Sequence, residues 1–471
     1  MLTAFYERRP MQVLVLNGSP KGGLSVTMQY VKYLARRLPD FRAEIANVAQ
    51  RARHLEGNPA ARSELAARIG SADAVLWATP LYILLVPSQF KRFIDTAHAD
   101  PALREALRGK STGSLTTSIK FFDHCAHDYL HGLADELEMR YLGDYSARMN
   151  DLTVKTERER LTAFGRRFLA EAAAEVPLPR QHPPLPVVDF RYTPGESVNK
   201  LDTTGRRVVV LTDGRPDDHN LNAMVGRFAA ALESVEVYNL HELDIKGGCL
   251  GCCSCGFSYT CAYEGKDDYT RFYNEVVKKA DVLVFAGSIR ARQLSWVWRR
   301  FIDRSFFNCH TPTLMDKQFG FLVSGPLGAL PGMRHLYRGW IELQRGNLVD
   351  FVSDDVADSA ALDARIDGLA RRLVENARAH YVRPQTFLGY AGMKVFRDDL
   401  FAGLKMVFQA DHKTYKRRGY YDFPHKKRSQ RFQAAILTLL TKLPPIRREF
   451  PRRLKTEMVK PLRKVLAAEE V

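Results

Sequence analysis

Five of the seven cysteines fall within thirteen residues, Cys249, Cys252, Cys253, Cys255 and Cys261. Four of them, Cys249, Cys252, Cys255 and Cys261, read CxxCxxCx5C, and Cys253 is left over. Thiolates this close cannot form the separated CxxC pairs of a zinc ribbon. A loop loosened by Gly247, Gly248, Gly251 and Gly256 can instead wrap them around one compact inorganic cluster. An iron–sulfur cluster, most simply 4Fe-4S, is the expected occupant. A zinc ion and a set of reduced thiols are the alternatives left open by spacing alone.

A second kind of chemistry sits near the start. The apolar run VLVL at 13–16 leads into NGSPKGGLSVT, in which Ser19, Ser25 and Thr27 offer hydroxyls, Gly18, Gly22 and Gly23 let backbone come close, and Lys21 adds a cation. A helix starting there would point its N-terminus at an anion, so the loop suits a phosphate monoester. It is not a Walker A loop, since GKST at 109–112 has Arg104 where the first glycine should stand, and no GxGxxG follows either early strand. Further on, His124, His127 and His131 with Asp128 share one helical face in KFFDHCAHDYLHG. His124 and His127 are the expected proton donors or substrate contacts, with a polar helix face and a metal site as the other readings. Cys125 and Cys309 read as packed thiols.

The elements that must position these residues are duplicated. LWATPLYILLVPSQFKRFID at 76–95 aligns without a gap with VFAGSIRARQLSWVWRRFID at 284–303, and GSLTTS at 113–118 matches GFLVSG at 320–325. Short apolar strands alternate with helical stretches in both copies, which predicts parallel βαβ units in open, doubly wound sheets. Pro177, Pro179, Pro183, Pro184 and Pro186 forbid a helix between the copies. The expected boundaries are 11–175, a proline-rich linker 176–204, a second domain 205–383 carrying the cysteine loop, and a basic extension 384–471. Trp296 and Trp298 are expected in the core or between domains.

NGSPKGG after the first strand, ATPLY at 78–82 and VPSQFKRFID make the first copy similar to the NADPH-dependent FMN reductase group of flavodoxin-like proteins. The second copy, with GCLGCCSCGFSYTC and then Asp267 and Asp268, resembles the iron–sulfur flavoproteins of that group. The resemblance implies an α/β protein of two tandem flavodoxin-like sheets, each in strand order 2-1-3-4-5, with FMN at the C-terminal strand edge. It implies FMN contacts from Ser19, Pro20, Lys21, Gly22, Gly23, Ser25 and Thr27, from Pro80, Leu81 and Tyr82, and from Thr116, Thr117 and Ser118. NAD(P)H is the implied electron donor. The second copy has DGRPDDHNLN in place of NGSPKGGLSV, so Asp213, Asp217 and Asp218 put negative charge where a phosphate would sit, and the first copy has no cysteine between 41 and 60. Each half is therefore expected to have kept one cofactor, the two forming a tethered pseudo-dimer. An electron carrier with no substrate of its own is the competing expectation.

The formal charge of +17 is uneven: from Lys405 onward there are 18 Lys and Arg against six Asp and Glu. This tail could meet an anionic membrane surface or an acidic redox protein, and it lacks any recognised nucleic-acid module. MLTAFYERRP has no apolar leader core, and the longest uncharged run, 74–90, is broken by Pro80 and Pro87. A cytoplasmic protein is expected, and seven cysteines so clustered exclude a disulfide framework.

Overall fold

The computed structural model describes residues 10–196, 200–422 and 428–469. Residues 1–9, on which the reading of the start rests, and Phe423 of the tail lie outside them. The first sheet contains β1 (Met11–Asn17), β2 (Phe41–Ala46), β3 (Ala74–Pro80), β4 (Ser111–Ser118) and β5 (Arg140–Arg148), all parallel in order β2-β1-β3-β4-β5. Val13 to Asn17 and Ala74 to Thr79 are wholly buried, as strands covered on both faces must be, while edge strand β2 alternates. Around this sheet run α1 (Val26–Arg37), α2 (Ala52–Gly57), α3 (Pro59–Ser71), α4 (Ser88–Ala99), α5 (Pro101–Leu107), α6 (Asp123–Glu136) and α7 (Lys155–Ala174).

The second sheet repeats the plan. It holds β6 (Val208–Thr212), β7 (Glu236–Asn239), β8 (Val282–Arg290), β9 (Gln293–Leu294), β10 (Gln318–Ser324) and β11 (Asn347–Ser353). Its parallel order is β7-β6-β8-β10-β11, with β9 a short antiparallel hook on β8. Its helices are α8 (His219–Ala230), α9 (Tyr269–Glu275), α10 (Trp296–Arg304), α11 (Pro331–Leu343) and α12 (Ser359–Arg378). From 175 to 196 the proline-rich segment forms no regular element, but it is pinned at both ends. Asp135 accepts the backbone N–H groups of Gln181 and His182, and Tyr192 bonds Asn220 and Asp363.

The extension expected from 384 is divided. Residues 384–414 belong to the same compact unit as the sheets, and a second unit begins at Tyr415. In the first unit, α13 (Phe387–Ala402) lies on α11, where the Glu342 carboxylate accepts the N–H groups of Thr386 and Gly389. Then α14 (Gln409–Arg417) reaches the boundary. In the second unit, α15 (Arg428–Leu440) and α16 (Pro444–Glu469) follow. Among the described residues no helix is long and apolar enough to cross a membrane.

The two copies meet through α4 and α10, and the contacts are reciprocal. Asp303 accepts the N–H of Ser88 at 2.6 Å, at the start of α4, and Asp95 accepts the N–H of Trp296 at 2.8 Å, at the start of α10. Each helix is thus capped by the other copy's aspartate. Lys91 pairs with Asp95 and donates to the Arg290 carbonyl; its counterpart Arg299 pairs with Asp303 and donates to the Tyr82 carbonyl. The intervening turns also match: Ile83 and Leu84 adopt φ of 42° and 71°, Ala291 and Arg292 adopt 45° and 64°. Left-handed conformation at a β-branched residue persists only where its surroundings hold it. This is the geometry of an isologous interface, written within one chain. One apolar core runs through it, joining Trp77, Phe90 and Phe93 to Phe285, Trp298 and Phe301. Trp298 is buried in that core, and Trp296 makes cation–π contacts with the guanidinium groups of Arg92 and Arg300.

Candidate functional site

The loop after β1 is held open by its own side chains. The Asn17 carboxamide accepts the Ser19 N–H at 3.0 Å and donates to Asn47, while the Ser19 hydroxyl accepts the Lys21 N–H. Pro20 offers its carbonyl to Gln50, and Gly22 takes a φ of +56° where any Cβ would overlap the Gln50 side chain. Ser25 caps α1 by accepting the Met28 N–H, so the positive end of a twelve-residue helix closes the loop. In these bonds Ser19 and Ser25 act as acceptors and keep an O–H to donate. Gly23 has open space around it. The donor set (two hydroxyls, a helix N-terminus and the Lys21 ammonium) fits a phosphate monoester.

The strand period separates the residues expected from β4. Thr117 points to one face and pairs its hydroxyl with Thr27 at 2.6 Å. Thr116 points to the other, where it meets a ring nitrogen of His127 at 2.8 Å. Ser118 ends the strand and accepts the Lys120 N–H. The second His127 nitrogen bonds the Ser114 hydroxyl at 2.7 Å, so both are engaged inside the protein, and burial lowers the imidazole pKa. His127 therefore acts as a neutral brace between β4 and α6. His124, by contrast, is exposed and lies beside Cys125 and His335 of α11. A groove lined by Asp123, His124, His127, Asp128, His131, Asp144 and Ser146 shares no residue with the 19–27 loop or with Pro80, Leu81 and Tyr82.

Those last three residues lead instead toward the cysteines. The Leu81 N–H is held by the Thr117 carbonyl at 3.1 Å, and Tyr82 is buried, its carbonyl taken by Arg299 of the other copy. Gly251 of the cysteine loop adopts a φ of +61° directly over Tyr82: a Cβ there would overlap the phenol hydroxyl and would lie 3.1 Å from the Lys21 Cε. Gly248 lies equally close to Ser88, and Gln89 donates to the Cys249 carbonyl at 3.2 Å. Burial raises the Tyr82 pKa, and the neighbouring Cys249 and Asp303 raise it further. The cysteine loop of one half thus covers the TPLY loop of the other.

Cys249, Cys252, Cys253, Cys255 and Cys261 line one small cavity with Tyr263, Arg304, Phe306 and Phe307. Cys249 accepts the Gly251 N–H, Cys252 accepts the Ser254 hydroxyl, and Cys253 is strained at a φ of +59°. Burial pushes the Cys255 thiol up to about 12 and raises Cys249 and Cys253 as well, with Lys21 opposing the rise at Cys253. Arg304, 1% exposed, stacks on Tyr263 and forms a two-pronged pair with Asp267 at 2.6 and 3.0 Å. It supplies a fixed positive charge beside the thiols. On the other side, the stretch before Tyr415 closes the loop: Gly256 abuts the Val407 carbonyl, and Tyr259 bonds Thr414. A thiol-rich cavity with the Gly251 N–H and the Arg304 cation at its wall fits an anionic metal–sulfur group.

The second copy's loop after β6 is filled by its own charges. Asp218 pairs with Arg290, the counterpart of Tyr82, at 2.5 Å, and accepts the Ser288 hydroxyl. Asp213 accepts the Ser295 hydroxyl, and burial pushes its carboxyl up to about 6. Two carboxylates at this edge repel a phosphate.

The interface residues Lys91, Asp95, Arg299 and Asp303 escape a reading based on site motifs alone. Their signal is the KRFID and RRFID ends of the repeat, which keep a cation four residues before an aspartate in both copies.

Residues 11–151 match the family model described as NADPH-dependent FMN reductase. No curated protein matches the chain. Among solved structures, the chain is similar to general stress protein 14 of Treponema denticola in complex with FMN, at 17% identity and a TM-score of 0.26, covering 36% of this chain and 100% of that one. It is also similar to FerB of Paracoccus denitrificans, a flavoenzyme NAD(P)H:(acceptor) oxidoreductase, at 18% identity and a TM-score of 0.25, covering 34% of this chain and 98% of that one. An oxidoreductase from Corynebacterium diphtheriae aligns at 16% identity and a TM-score of 0.30, covering 36% and 100%.

Proposed function

We propose that the chain is a flavin-dependent oxidoreductase that takes electrons from NAD(P)H, holding FMN in the first copy and an iron–sulfur cluster on Cys249, Cys252, Cys255 and Cys261 of the second. The observation that carries the reading is the seating of Gly251 against Tyr82 and Lys21. It supports a path between the two cofactor sites within one molecule. FMN when bound supplies hydride acceptance and single-electron release, and a cluster supplies a one-electron relay.

The chain's own residues do the rest. Ser19, Ser25 and the α1 N-terminus bind the phosphate, with Lys21 offsetting its charge. Tyr82, held by Arg299 through its carbonyl, orients one face of the flavin site. The cysteine loop, braced by Arg304 and covered at Gly256 by Val407 and Phe408, shelters Cys255 and leaves Cys252 at the surface. His127 fixes β4 beneath Thr117, and Thr117 fixes Thr27. Cys253, strained and facing Lys21, stands outside the ligand set.

The test is iron and flavin analysis of anaerobically purified protein with NADPH and NADH turnover. One FMN per chain and several irons are expected. Alanine at Cys249, Cys252, Cys255 or Cys261 should reduce bound iron severely, and Cys253→Ala should leave it nearly intact. Stoichiometric zinc without iron would overturn the cluster, and flavin reducible only by another protein would favour the carrier reading.

One observation favours docking by the tail. In α15 Phe432, Ile436, Leu439 and Leu440 are exposed, and no acidic residue occurs in that helix. An apolar stripe in a basic segment suits an anionic lipid surface better than an acidic redox protein. Binding to anionic but not neutral vesicles, lost on deletion from residue 428, tests it.

A further inference from the structure

Among the described residues, two side-chain groups outside the cofactor sites bring three metal-ligating atoms within 4.8 Å of one another: His131, Asp135 and His182, and His124, Cys125 and His335. The first is already used. Asp135 accepts the N–H groups of Gln181 and His182 and a ring nitrogen of His182, while the other His182 nitrogen meets Asp128 at 3.0 Å. That cluster ties the linker to α6.

The second group is built differently. His124 and Cys125 stand in the first turn of α6, and His335 stands in α11 of the other copy. The Nε2 of His124 lies 3.3 Å from the Cys125 Sγ, and the two imidazoles face each other edge to face at 5.7 Å. Their approach is fixed by Phe122. It precedes α6 in a left-handed conformation, φ 56°, and its ring fills a slot where Gly339 of α11 and Gly392 of α13 leave no room for a Cβ. Asp128 lies near the start of α11, against Gly332.

We propose that His124, Cys125 and His335 form a divalent-cation site of borderline softness, suited to zinc, that bridges the two halves of the chain. Two imidazole nitrogens and one thiolate sulfur form a suitable donor set for tetrahedral zinc, with bonds of about 2.0–2.3 Å. Such bonds separate donors by about 3.3–3.8 Å, so exposed His124 and His335 have only to swing inward by about an ångström. Water, or Asp128 after leaving His182, completes the fourth position. Binding replaces the Cys125 thiol proton with the metal and releases that proton to solvent. None of the three is among the residues proposed above to hold the flavin or the cluster, so the site can be tested apart from that reading.

The experiment is zinc stoichiometry and affinity on the full chain with its cofactors, after dialysis against a mild chelator. Wild type should bind one zinc more than His335→Ala and His124→Ala, and Cys125→Ser should weaken that zinc at least about a hundredfold. The histidines are exposed, so these variants should fold, and a melting temperature raised by zinc in wild type but not in His335→Ala gives a second readout. Equal zinc binding in wild type, His335→Ala and Cys125→Ser overturns the proposal. So does an extra zinc that disappears in Cys252→Ala but survives in His335→Ala, which would assign it to the cysteine cavity.

Discussion

The two loops that follow β1 and β6 occupy the same place in matching sheets and have opposite chemistry. In the first, Asn17 uses a neutral carboxamide to set the Ser19 N–H, and Ser19, Lys21 and Ser25 present donors. In the second, Asp213 stands in place of Asn17 and Arg215 in place of Ser19, while Asp218 reaches across to Arg290. The sheet has not changed; what fills its edge has. An anion site closes when the protein supplies its own anion and cation there. The cysteine loop shows the converse, since only the second copy carries it and it is seated on Tyr82 of the first.

The sharpest way to break the comparison is to give the first loop the charge of the second. Ser19→Asp should weaken FMN retention by at least about a thousandfold, because like charges in contact cost several kcal/mol. Arg215→Asp should leave flavin content unchanged. Flavin absorbance after gel filtration reads both, and the reverse pattern would exchange the roles of the copies.

The capping aspartates differ in a subtler way. Asp303→Ala strands a guanidinium that cannot lose its proton, and should cost about 3–4 kcal/mol in denaturant unfolding. Asp95→Ala strands Lys91, whose pKa burial already lowers, so the amine can neutralise, and about 1–3 kcal/mol is expected. Equal losses would mean that backbone capping, rather than the ion pairs, dominates.

The smallest effect concerns Asp213→Asn, which makes the second loop resemble the first. Its carboxyl is raised to about 6 by burial, against about 3.9 unfolded. Between those values the native state binds more protons, so stability falls as pH rises from about 4 to 6 and stays reduced above. Asparagine removes that slope. The advantage of the variant over wild type should be about 2 kcal/mol greater at pH 7.5 than at pH 4.5. Parallel melting curves at both values check it.

Much of this was legible in the chain. The gapless repeat at 76–95 and 284–303 pointed to a second sheet of the same plan, and the alternation of apolar strands with periodic helices carried the parallel sheets. Cysteine spacing found the cavity that the structure closes around those side chains. Distance information was missing. Helical spacing placed His124, His127 and His131 on one face, but it could not say that Ser114 and Thr116 take both nitrogens of His127. The end of the repeat marked 384 as the start of a basic extension, although Gly389 and Gly392, three apart, fit α13 closely onto Glu342, Leu343 and Phe122. His335 had no local signal, for its partners are some two hundred residues away.

The reciprocal caps of α4 and α10 bear on how such a chain can change. In a homodimer every substitution is made twice, so a residue on the symmetry axis must suit both faces at once. Joining the copies through a pinned linker removes that constraint. Lys91 can differ from Arg299, and Tyr82 from Arg290, without either choice being imposed on the other side. Two matching sheets in one chain thus let each half specialise while its neighbour keeps the shared seam intact.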